Sequence, residues 1–223
     1  MVDQFKNFMV QSGAAWVLWL LLGLSVISLS IMLDRAAAFW SRRDDLPSLV
    51  RDLHTLLSRG DVEQARTRLS KSRSAEAAVV LSGLDQWPQG RTAAEQAMAA
   101  ATGIERARLE RRLLFLGTIG SNAPFIGLLG TVIGIVGAFD ELGHAAPARA
   151  GALGLAPERV MSTIAEALVA TAVGLCVAIP AIAVFNYFQG LLSATLGNAE
   201  TLGHVLLAHV KPSAKGELAT ESS

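Results

Sequence analysis

Charged side chains vanish from the chain in three long runs, Asn7 to Leu33, Leu113 to Phe139 and Ala167 to Ala199. Each exceeds the ~20 predominantly apolar residues that an α-helix needs to cross a bilayer. The pattern predicts transmembrane helices over 14–33, 115–142 and 160–192. The first run could pass for a secretory signal. Its apolar core is too long for one, only Lys6 precedes it, and the basic residues Arg35, Arg42 and Arg43 follow it, so it is read as a retained anchor.

Between the first two spans the polarity pattern is helical, with no strand-like alternation. Asp45 and Pro47 open a helix whose Leu49, Val50, Leu53, Leu56 and Leu57 share a face, and Gly60 closes it. Asp61 is placed to cap a second helix toward Lys71, and a third runs from Ser74 to Trp87, stopping at Pro88. Thr92-Ala-Ala-Glu95 has the form of a capping box, in which hydroxyl and carboxylate each satisfy a free amide. From there the alanine-rich run to Arg112 enters the second span with no proline before Pro124, which predicts one helix of about 50 residues, ~75 Å long. So much alanine is poor material for a single-chain core and points to close helix packing about an axis. The fold class expected is an all-α integral membrane protein, three transmembrane helices with long helices extending into a cytoplasmic helical domain.

The distribution of arginine sets the expected orientation. Arg35, Arg42, Arg43 and Arg51 follow the first span and Arg106, Arg108, Arg111 and Arg112 precede the second, whereas the other connection carries Arg149 and Arg159 against Asp140, Glu141 and Glu158. Positive charge is retained in the cytoplasm. Residues 34–114 are thus expected inside, the amino terminus (1–13) and loop 143–159 in the periplasm, and 193–223 inside as a carboxy-terminal helix and tail, disordered beyond Val210.

Composition narrows the function. Of 223 residues 52% are hydrophobic and 17% charged, below the roughly 25% charged of soluble proteins, and the net charge is zero. That balance excludes the basic chains that hold nucleic acid. The lone Cys176 excludes an intrachain disulfide and any paired-cysteine metal site, and its apolar surroundings read as those of a small buried hydrophobe. The four histidines lack ligand spacing, and no phosphate-binding loop or nucleophile elbow occurs, so neither an enzyme, a metal nor a cofactor is expected. Three spans without internal duplication also argue against a secondary transporter.

Candidate chemistry therefore lies in the spans. Gly120, Gly127 and Gly134 are seven apart, as are Ala123, Gly130 and Gly137, while Ala167, Thr171, Gly174, Ala178 and Ala181 form a small-residue stripe. Such stripes let helix backbones approach in lipid; a smooth wall facing a sliding partner is the alternative, and spacing does not separate the two. Pro124 and Pro180 are candidate kinks. Glu166 is an ionisable residue within a span, either on an ion pathway or reaching the outer headgroups. Thr131 and Thr171 fall at similar depth, ~16 Å from one surface, and either bond back to their own helices or form a polar ring in an oligomer.

Two segments, Asn122 to Phe139 (NAPFIGLLGTVIGIVGAF) and Ile164 to Ala181 (IAEALVATAVGLCVAIPA), resemble the ExbB/TolQ branch of the MotA/TolQ/ExbB proton-channel family. They cover about a third of the chain, and three spans distinguish it from the four-span MotA branch. The resemblance implies a homopentamer in the bacterial inner membrane around a dimer of a single-span ExbD/TolR-like partner whose membrane aspartate carries the proton. It implies that Thr131, Glu166 and Thr171 line the path, with Gly127, Gly130, Gly134, Gly174 and Ala178 packing the pore wall. The energy of the proton gradient would drive rotation of the inner pair and pass to a TonB- or TolA-like periplasm-spanning transducer. A pentameric scaffold, or a stator of a surface-motility motor in the same family, is the alternative.

The orientation is directly testable. A protease-cleavable tag inserted near Gly90 should be protected in intact cells and one near Ala148 exposed; the reverse pattern overturns the charge argument.

Overall fold

The computed structural model describes residues 15–41, 45–145 and 155–209. Residues 1–13, Arg42, Arg43, Arg149 and the tail beyond Val210, on which several expectations rest, lie outside them. The described residues form seven α-helices and a 3-10 turn, and no strand: α1 (Ala15–Ser41), α2 (Leu46–Ser58), α3 (Val62–Lys71), α4 (Ala75–Asp85), the turn Trp87–Gln89, α5 (Arg91–Glu110), α6 (Leu113–Ala145) and α7 (Leu155–Leu207). Three of these, α1, α6 and α7, are long and apolar enough to cross a membrane. The protein is an all-α, multi-pass membrane protein.

The chain divides into two compact units, one of residues 1–34 and 114–186, the other of 35–113 and 187–223. In the first, α1 presents Val17, Leu21 and Leu24 at helical spacing to a cluster with Ile119, Ala123 and Ile133 of α6 and Val177 and Ala178 of α7. Much of the remaining surface of these helices is apolar and exposed, including Leu168 and Ile179 of α7 and Phe125 and Phe139 of α6. That is the composition of a helix facing lipid or another subunit rather than water.

The second unit has a conventional core. Leu49, Leu53 and Leu57 of α2 meet Ala65 and Leu69 of α3, Ala77, Val80 and Leu84 of α4, Ala94 and Met98 of α5, and Ala199, Leu202 and Leu206 from the carboxy-terminal part of α7. Phe39 stacks on Phe188 with ring centroids 5.1 Å apart. Gly60 (φ +77°) and Gly90 (φ +99°) take backbone conformations that side-chain-bearing residues rarely adopt, and they separate α2 from α3 and the 3-10 turn from α5. Ser74 caps α4, accepting a hydrogen bond from the Ala77 amide at 3.2 Å.

Four expectations need correction. Thr92 and Glu95 form no capping box, because Gly90 is the N-cap and α5 starts at Arg91. Glu95 is drawn instead into an i,i+4 pair with Arg91 at 2.9 Å. The Asp61 side chain makes no capping bond to α3. The long helix expected from residue 93 onward is interrupted at Arg111–Arg112, amid four arginines within seven residues whose like charges disfavour stacked turns. The longest helix among the described residues is α7, with 53 residues and a length of ~80 Å, and it contains Pro180. Finally, Cys176 is exposed rather than buried, since it lies beside the small-residue stripe of α7 and not on it.

Leu206 is fully buried in the second core, so Leu206→Ala should destabilise it by about 2–5 kcal/mol. Gln64→Ala on the exposed face of α3 should stay within about 0.5 kcal/mol. Denaturant unfolding of the detergent-solubilised protein measures both, and equal effects would refute the core assignment.

Candidate functional site in the α6–α7 pair

The glycines of α6 explain how two membrane helices hold together without a hydrophobic drive. A Cβ on Gly127 would lie 2.8 Å from the Ala170 carbonyl oxygen and 3.0 Å from the Thr171 Cα. One on Gly174 would lie 2.7 Å from the Ala123 carbonyl oxygen and 3.2 Å from the Gly127 Cα. Gly127 and Gly174 therefore bring backbone directly against backbone, which no other residue permits. Gly130 is closed by the Ala170 methyl (2.7 Å) and Val17 (3.2 Å), Gly134 by the Ala167 methyl, and Gly120 by Ile182 (2.6 Å). All these contacts lie within one chain. A Cβ on Gly137, by contrast, would meet no other element within 4 Å among the described residues. Ala178 is buried beside the same seam.

These contacts also fix the register. The helices run antiparallel, with Gly117 beside Phe185, Gly120 beside Ile182, Gly127 beside Thr171, Gly130 beside Ala170 and Gly134 beside Ala167. Thr131 and Thr171 consequently lie within one turn of the same level, and Glu166 stands near Gly134, about a turn further along.

The three polar residues differ in environment. Thr131 is buried and donates to the Leu128 carbonyl at 2.7 Å, which satisfies its proton within its own helix. Thr171 makes no such bond: its Oγ1 is buried and lacks any hydrogen-bond partner among the described residues. A buried hydroxyl left unpaired costs about 1–3 kcal/mol, so a water or another hydrogen-bonding group is favoured there. Glu166 is exposed and forms no hydrogen bond or ion pair with the described residues.

Pro124 and Pro180 lie inside α6 and α7. Each lacks an amide proton, and so leaves the carbonyl four residues earlier, of Gly120 and of Cys176, without its helical donor. A further buried polar atom was not anticipated from sequence. Ser28 Oγ, on the bundle-facing side of α1, is buried without a hydrogen-bond partner among the described residues. The signal was available: Val17, Leu21, Leu24 and Ser28 recur at steps of four, three and four, and the serine takes the last place of an apolar stripe.

Comparison with known proteins decides the family. Residues 71–201 match the model of the MotA/TolQ/ExbB proton channel family, more than half of the chain. The chain belongs to that family. Among its similar relatives, the biopolymer transport protein ExbB of Xanthomonas campestris pv. campestris (strain B100) is 38% identical over 112 residues, 50% of this chain and 42% of that protein. The Tol-Pal system protein TolQ of Pseudomonas aeruginosa is 42% identical over 106 residues, 48% of this chain and 43% of TolQ. A putative biopolymer transport protein, ExbB-like 2, of Helicobacter pylori (strain ATCC 700392 / 26695) is 50% identical over 78 residues, 35% of this chain and 47% of that protein. The matches span less than half the length of these curated relatives. Likeness to both ExbB and TolQ places the chain in the ExbB/TolQ branch of the MotA/TolQ/ExbB family.

The seam predicts a sharp contrast among glycines. Gly127→Ala and Gly174→Ala should each lower stability by about 1–3 kcal/mol, because the added methyl meets backbone that has no rotamer to change. Gly137→Ala should be neutral or slightly stabilising, since alanine favours a helix by up to about 1 kcal/mol over glycine. Thermal unfolding in detergent reads all three, and equal tolerance at Gly127 and Gly137 would refute the backbone-contact geometry.

Proposed function

We propose that this protein is the proton-channel stator subunit of an ExbB/TolQ-like motor in the bacterial inner membrane. In this reading a homopentamer surrounds an ExbD/TolR-like dimer of single-span helices. Proton flow, accepted and released by the partner's membrane aspartate, turns that dimer and works a TonB- or TolA-like transducer. Family membership supports the class of activity, and the exposed apolar flanks of α6 and α7 support insertion into an oligomer or lipid.

The observation that carries the residue-level reading is Thr171 Oγ1, buried without a hydrogen-bond partner among the described residues and within one turn of the level of Thr131. An unsatisfied hydroxyl inside a membrane bundle is a place for water, and a file of waters is the simplest proton conductor through an otherwise apolar wall. Glu166, exposed about a turn away, supplies the titratable group at the mouth of that path. Gly127, Gly130, Gly134, Gly174 and Ala178 pack the wall rigidly, and Pro124 and Pro180 are its bending points. The amino terminus and the loop around residue 148 face the periplasm and residues 34–114 the cytoplasm, following the arginine distribution. A proton crossing ~150 mV releases roughly 3.5 kcal/mol, enough to reposition a helix pair and too little to remodel a fold.

The bond from Thr131 to the Leu128 carbonyl favours a second reading for that residue, as a helix-internal hydroxyl in a scaffold. Valine replaces threonine in nearly the same volume without the hydroxyl. Thr171→Val should reduce proton flux about tenfold or more with the oligomer intact, Glu166→Gln should reduce it while assembly survives, and Thr131→Val should have the smallest effect. Flux through reconstituted complexes, with partner co-purification as the assembly control, is the measurement. Wild-type flux in both Thr171→Val and Glu166→Gln would overturn the path and leave the scaffold reading.

A further inference from the structure

A cavity of about 570 Å³ in the second unit is lined by Arg35, Ala107, Arg108, Arg111 and Arg112. Four of its five lining residues carry a guanidinium, and no carboxylate lines it. Arg108 reaches out to Glu105 through one Nη at 3.3 Å. Each guanidinium has five N–H donors, so groups engaged by one contact retain donors for another. Four guanidinium groups around one cavity make its potential positive, and the fork of N–H groups matches phosphate oxygens in pairs.

The position of these arginines selects the anion. Arg35 comes two residues after Leu33, where the first uncharged run ends, and Arg112 immediately precedes Leu113, where the second begins. Whichever way the chain inserts, both stand where an apolar span meets water. Trp40, on the same helix end as Arg35, is 75% exposed, as an aromatic at a membrane interface is. A soluble phosphate has no reason to prefer this depth; a lipid phosphate is fixed there.

We propose that this arginine cavity binds the phosphodiester headgroup of an anionic glycerophospholipid, with phosphatidylglycerol as the representative chemistry. The site is separate from Thr131, Glu166 and Thr171 and does not depend on what the protein conducts. Arg111 and Arg112 come three and four residues after Arg108, a spacing that puts all three on one side of the chain toward a single anion.

The test uses the full-length protein in its native oligomer, placed in nanodiscs of phosphatidylcholine or of phosphatidylcholine with phosphatidylglycerol. Thermal stability is measured there, and retained lipid is counted by native mass spectrometry after detergent extraction. The wild type should retain phosphatidylglycerol and melt at a higher temperature in its presence. Arg108→Gln/Arg111→Gln should lose about 25-fold of that retention, each basic residue near a membrane surface being worth roughly a factor of five. Arg59→Gln/Arg73→Gln, which removes two exposed arginines elsewhere in the same unit, should retain the lipid like the wild type. Should the first pair of changes prevent folding, Arg108→Lys/Arg111→Lys keeps the charge but loses the paired grip, and a severalfold loss is expected. Equal retention in every folded variant overturns the proposal. So does stabilisation of the wild type by inorganic phosphate alone to the extent given by phosphatidylglycerol, which would make the cavity a soluble-anion site.

Discussion

In lipid an apolar side chain gains nothing by leaving its surroundings for another helix, so something other than hydrophobicity must hold α6 against α7. Here it is approach of backbone to backbone at Gly127 and Gly174, where a single added methyl would fall 2.7–2.8 Å from a carbonyl oxygen. Dispersion between closely matched surfaces then supplies the attraction. The antiparallel register, the shared level of Thr131 and Thr171, and the burial of Thr171 Oγ1 all follow from that contact. The 35–113 and 187–223 unit obeys the other rule. Its leucines leave water, and its core resembles that of a soluble helical domain.

Membrane helices were legible because their signal is one-dimensional: an absence of charge over enough residues. The small-residue stripes were legible too, but spacing alone could not say what faced them. The structure supplies the missing coordinate, for Gly127 and Gly134 meet the same chain's α7 while Gly137 meets no other element among the described residues. Helix ends were read less well. The Thr92–Glu95 pattern is a local signal, and it lost to Gly90, whose positive φ starts the helix two residues earlier. Helix continuity was overestimated at one place: the run from residue 93 was read as unbroken because it holds no proline before Pro124, and the interruption falls among the arginines at Arg111–Arg112.

The two threonines show why residue type and depth are not enough to assign a role. Both sit within one turn of the same level, but one hydroxyl closes on its own helix and the other does not. The difference lies in local hydrogen bonding that no sequence pattern reports. It separates a group that is chemically finished within the chain from one still in need of a neighbour.

The tightness of the glycine seam also has a kinematic consequence. A joint packed through flexible side chains can slip by small rotamer changes, like a bearing with play. Contacts at Gly127 and Gly174 involve backbone atoms, which have no such freedom, so α6 and α7 cannot shear past each other in small increments. Any displacement at this level must carry the pair as one rigid strut, and a force applied to either helix arrives in the other without loss of travel.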